Sequence, residues 1–147
     1  MTDYSPRLFT TDAEIEHLGE GLLACSLARP EWTHEAHLAS CLYLLTRRPD
    51  LDVDRQIAGI ISRFNESVGG VNDETQGYHD TITHAYVAGV RLFLRQTGET
   101  GLKEQVNALL LSPMGKREWP LGFYSKELLF SVPARMGFVP PDLALLP

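Results

Sequence analysis

Along most of this chain apolar residues recur every three or four positions, the period of an α-helix with one buried face. The first run holds Ile15, Leu18, Leu22, Leu23, Cys25 and Leu27. It is opened by Thr11-x-x-Glu14, a pattern in which each residue's side chain accepts the other's backbone amide at a helix start. Arg29-Pro30 closes the run, because proline cannot continue a helix, so the first helix is expected over about 11–28. A second run, with Leu38, Cys41, Leu42 and Leu45 as its core face and Ala36 and Tyr43 on the flanks, predicts a helix over 33–47. Thr33 is a good N-cap, Trp32 can staple onto the first turn, and Arg47-Arg48-Pro49 suits a C-terminus.

Val53, Ile57, Ile60, Ile61 and Phe64 mark a third helix that starts among Asp50, Asp52 and Asp54 and stops at Gly69-Gly70; acidic residues complement the positive end of a helix. After a polar loop over 71–77, a fourth helix runs from Tyr78 to Gln96 on Ile82, Ala85, Tyr86, Gly89, Val90, Phe93 and Leu94. A fifth, short helix spans Leu102 to Leu111 and ends before Pro113. The pattern then changes. From residue 113 on, prolines alternate with Trp119, Phe123, Tyr124, Phe130 and Phe138, too many aromatics for a disordered tail. Only Ser125 to Phe130 reads as one or two helical turns. Short connections imply antiparallel neighbours, so the expected fold is all-α, a single-domain up-down bundle of about five helices. Residues 1–10 are expected as a flexible arm, 11–112 as the bundle, and 113–147 as an irregular segment packed over it.

Topology gives this pattern chemical interest. His34 and His37 are three residues apart, hence neighbours on one helix face. In an up-down bundle the second and fourth helices start at the same end, and the fourth opens with Gly77-Tyr78-His79-Asp80. His34, His37 and His79 would thus meet. Neutral imidazoles on facing helices can hold a divalent metal (zinc, nickel, iron or manganese) with an open position for a substrate. Helix N-termini disfavour imidazolium and so favour the ligand form. Asp80 is the candidate general base, and Glu35, Glu74, Tyr78, Thr83 and Tyr124 are candidates for the surrounding pocket. The plainer alternative is that His34 is exposed and that His79 caps a helix or bonds a buried carbonyl. His84 lies five residues after His79 and points elsewhere.

Composition narrows the classes. The chain has 147 residues and a formal net charge of −6, which argues against nucleic acid as a partner. No apolar run approaches the ~20 residues of a membrane span. Met1 to Pro6 has neither a basic nor an apolar region of a signal peptide, so a cytoplasmic protein is expected. Cys25 and Cys41 form no Cys-x-x-Cys pair and read as buried small hydrophobes. No nucleophile elbow, phosphate loop or dinucleotide fingerprint occurs, and Asn72-Asp73-Glu74 lacks calcium-loop spacing.

Trp32-Thr33-His34-x-x-His37-Leu38 and Gly77-Tyr78-His79-Asp80-Thr81-Ile82-Thr83 resemble motifs of a family of small, uncharacterised bacterial helical proteins. The ending from Tyr124 to Ser131, then Ala134-Arg135 and Pro141-Asp142, is similar too. The resemblance implies His34, His37 and His79 as motif positions, with Thr83 and Tyr124 beside them, and no established activity. Two functions follow as expectations. One is a histidine-lined pocket, metal-dependent or not, that acts on or binds a small molecule. The other is a non-catalytic interaction module using the aromatic C-terminal segment. A homo-oligomer is compatible with both.

Overall fold

The helical period is realised throughout. In the computed structural model, which describes residues 5–147, every regular element is helical: α1 (Asp12–Ala24), α2 (His34–Arg47), α3 (Val53–Ser67), α4 (Asp80–Gln96), α5 (Leu102–Leu111), α6 (Lys126–Leu129) and α7 (Val132–Met136). Short 3-10 turns stand at Arg29–Glu31, Pro113–Gly115 and Trp119–Gly122, and no strand occurs among the described residues. Among these residues no helix is long and apolar enough to cross a membrane. The part of the expected arm at residues 1–4 lies outside the described residues. Phe9 is tied down, since its N–H donates to Asn107 Oδ1 and its carbonyl accepts from Asn107 Nδ2, both at 2.9 Å.

Most helix starts follow their sequence signals. Thr11 and Glu14 form the expected reciprocal cap of α1. Thr33 Oγ1 accepts from Ala36 N at 3.1 Å, and Asp52 Oδ1 accepts from Arg55 N at 3.3 Å. The end of α1 differs from expectation. Cys25 turns left-handed at φ 54, and Ser26 N–H closes the turn on Gly21 O at 2.9 Å. The helix therefore stops before Leu27, which folds back into the core at 3 % exposure. Cys41 is buried, whereas Cys25 is half-buried at this turn.

α2 is the central helix, packed by α1, α4 and α5. Its apolar residues were expected on one face, yet burial runs without a break from Leu38 to Leu44. A helix covered on all sides places polar residues such as Ser40 inside the core.

The C-terminal segment is more regular than its composition suggested. Ser125 caps α6 through Leu128 N, and Ser131 caps α7 through Ala134 N. Asp142 fastens the turn by accepting from Ser125 N and Oγ at 2.8 and 2.6 Å. Tyr124 and Leu129 then form a second small apolar cluster with Ala85 of α4. Trp119 lies against α4 at Gly89, where a Cβ would come within 2.7 Å of the indole Nε1. Phe130 is left exposed.

Candidate functional site

The first turn of α2 and the second turn of α4 face each other across a cavity of about 250 Å³. α3 closes it with Ile57 and Ile61, and Trp32 and Val87 complete the apolar wall. The polar lining is short: His34, His37, Ser40, Thr83, Tyr86 and Arg117. An apolar pocket with a few convergent polar groups is the usual form of a small-molecule site.

Each histidine here has one nitrogen committed. His34 Nε2 lies 2.8 Å from Gly115 O. A carbonyl oxygen only accepts, so this nitrogen carries the proton and Nδ1 of the neutral ring keeps a lone pair. His37 has the opposite tautomer: its Nδ1 donates to Thr33 O at 2.7 Å, and Nε2 keeps the lone pair. Trp32 covers His37 with ring centroids 4.0 Å apart, and the Tyr86 ring stands edge-on to His34 at 5.9 Å.

Both imidazoles favour the neutral state. His37 is an exposed residue on the cavity wall with the Trp32 ring packed against it. The surrounding protein desolvates the ring, the bond to Thr33 opposes this, and the positive charge of Arg117 adds to it, so the pKa falls from the ordinary 6.5 to about 4. For His34, desolvation lowers the pKa, the bond to Gly115 partly restores it, and Arg117 lowers it further. Desolvation also pushes the Cys41 thiol in the cavity wall up to about 12, so it stays protonated and inert.

Ser40 is the anomaly. It is 1 % exposed, lines the cavity, and its Oγ has no hydrogen-bond partner. A helical serine usually returns its hydroxyl to the carbonyl four residues back, as Thr46 does to Leu42 O at 2.8 Å. Buried polar atoms are paired in the great majority of cases, which makes the enclosed Ser40 hydroxyl an exception in this core. The sequence pattern singled out no role for Ser40. Arg117 was likewise missed.

The expected trio of His34, His37 and His79 does not assemble. Among the described residues no three of His, Cys, Asp and Glu gather as a metal site. His79 is the N-cap of α4: Nδ1 accepts from Ile82 N at 3.1 Å, and Nε2 donates to Leu129 O at 2.8 Å. Both nitrogens are occupied, the ring is 9 % exposed, and desolvation lowers its pKa. Asp80 does not line the cavity. It accepts from Tyr78 OH at 2.7 Å and pairs with His84 Nε2 at 3.3 Å, so His84, set aside on spacing, is its partner. Tyr78 is thereby held at the α4 start, burial and Asp80 raising its pKa. Glu35 is buried and lines a different groove, as do Phe9 and His17. Glu74 is exposed in the loop. Tyr124 is fully buried and donates to Val139 O at 2.7 Å. Of the expected pocket residues only Thr83 lines the cavity; its hydroxyl donates to His79 O at 2.8 Å.

Comparison of the chain with protein-family models, with curated proteins and with solved structures gives no match.

Proposed function

We propose that the protein binds a small, largely apolar molecule in the cavity between α2, α3 and α4. The observation that carries this reading is the apolar cavity itself, with two imidazoles among its few polar lining groups. Each imidazole has one nitrogen anchored to the backbone and the other left with a lone pair. Anchoring one ring nitrogen fixes the orientation of the other, which is how proteins aim an imidazole. The lining suits recognition, and with neutral imidazoles also proton transfer to or from a bound molecule.

Ligand-detected NMR against a set of small aromatic fragments tests the reading on the full chain. Fragments that fit are expected to bind with a Kd on the order of 0.1 mM, a usual strength for about ten non-hydrogen atoms. Ile61→Trp, which fills the cavity from α3, is expected to abolish that binding while the chain stays folded. Binding that persists in a folded Ile61→Trp variant would contradict the proposal.

A further inference from the structure

The cavity differs in charge from the rest of the molecule. The chain carries 19 acidic residues against 13 basic ones, yet neither Asp nor Glu lines the cavity, and Arg117 does. Other grooves hold carboxylates: Glu14, Glu31 and Glu35 in one, and Asp54, paired with Arg91 at 2.7 Å, in another. Arg117 is an exposed residue, so it stands at the rim of the cavity rather than in its floor. Its positive charge acts on three rings of the lining, His34 and His37 of α2 and Tyr86 of α4. Rings on two facing helices feel the charge together, which places it beside the space between them. Glu118 acts on His34 and Tyr86 in the opposite sense, but it is exposed and forms no part of the lining. With both imidazoles neutral, a molecule entering the cavity meets one positive charge at the rim and apolar walls of Trp32, Leu38, Ile57 and Ile61. A monoanion neutralises that charge, and a cation is repelled by it. A planar carboxylate is matched to a guanidinium, which meets it with two parallel N–H donors. Size follows from volume: a dry cavity of ~150 Å³ takes up benzene, so about 250 Å³ accommodates a bicyclic ring.

We propose that the cavity takes a carboxylic acid with an apolar body of one or two rings, bound as its carboxylate to Arg117. This rests on the cavity being a binding site at all. The test separates the two claims by comparing 2-naphthoate, its neutral counterpart 2-naphthamide and the cation 2-(aminomethyl)naphthalene on the full chain by calorimetry at pH 7 and low salt. The expected result is that 2-naphthoate binds at least about tenfold more tightly than the other two, a hydrogen bond to a charged group being worth that factor or more. High salt narrows the gap, because the rim is open to solvent. Arg117→Gln, at an exposed position, keeps the melting temperature, loses the preference for the acid and leaves 2-naphthamide unchanged. Arg117→Glu reverses the order, so that the amine binds more tightly than the acid. Equal binding of 2-naphthamide, or a preference for 2-naphthoate that persists in Arg117→Gln, overturns the acid assignment and leaves the cavity reading standing. Binding of 2-naphthoate that survives in a folded Ile61→Trp variant puts the acid outside the cavity and overturns the proposal. Failure of all three compounds to bind overturns both claims.

Discussion

Two helix starts carry the same kind of residue and use it in opposite ways. At the start of α2, His34 and His37 each give one nitrogen to a backbone carbonyl and keep the other free, at the edge of a cavity. At the start of α4, His79 gives both nitrogens to the backbone, one to its own helix and one to Leu129 far along the chain. Thr81, two residues on, is fully buried and holds the same segment by donating to Gly137 O and accepting from Val139 N. The α4 motif is therefore a dock for the C-terminal segment, and the α2 motif leaves two imidazole nitrogens free at the cavity, where we propose the site. A histidine with no free nitrogen is a structural part; one with a fixed tautomer and an open lone pair is a chemical one.

The strongest way to break this contrast is at His79. His79→Ala leaves the Leu129 carbonyl and the Ile82 amide without partners in a buried place, and a lost stability of about 2–4 kcal/mol is expected from urea unfolding. Thr81→Val keeps the shape and removes two bonds, so a loss of about 1–3 kcal/mol is expected by the same measurement. Hydrogen exchange in the variant should rise first around Gly137 and Val139. A loss below ~0.5 kcal/mol in both variants would remove the docking role from the α4 motif.

Ser40→Ala sharpens the contrast because its expected sign is reversed. Removing an unpaired buried hydroxyl is expected to leave stability unchanged or raise it by up to about 1 kcal/mol. A fall in stability would show that the Ser40 hydroxyl has a partner in the folded chain.

The smallest expected effect is on pH dependence. In the unfolded chain a histidine binds its proton near pH 6.5, whereas folded His37 does so only near 4. Between those values the unfolded state holds more protons, so stability rises with pH and is lost as pH falls from about 6.5 towards 4. His34 and His79 are shifted in the same direction. The carboxylates with lowered pKa, such as Glu20 and Asp142, contribute in the same sense only below about 4.5. Urea midpoints measured from pH 4.5 to 7 therefore isolate the histidines, and His37→Gln is expected to flatten part of that slope. An unchanged slope in His37→Gln would show that the ring is not desolvated.

Much of the fold is legible from local signals. Thr11, Thr33 and Asp52 each cap a helix through side-chain oxygens within reach of a nearby amide, and such contacts are written in three or four consecutive residues. The pairing of His34 and His37 on one face is legible for the same reason. What fails is whatever depends on distant residues. Leu27 ends α1 early by folding back over Gly21, and no local pattern announces that. His79 reads as a ligand because its partner Leu129 is fifty residues on. Ser40 carries no sequence signal because only packing on every side of α2 makes its hydroxyl buried and unpaired.

The division between the two histidine motifs is tested most directly by a long-range 1H–15N spectrum of the imidazoles at pH 7, recorded before and after adding an aromatic fragment that binds the cavity. The expected spectrum shows neutral rings, with the proton on Nδ1 in His37 and on Nε2 in His34 and His79, and only the cavity pair responding to the compound. A His79 that carries its proton on Nδ1, or that shifts while His37 stays still, would contradict the assignment of the site to α2.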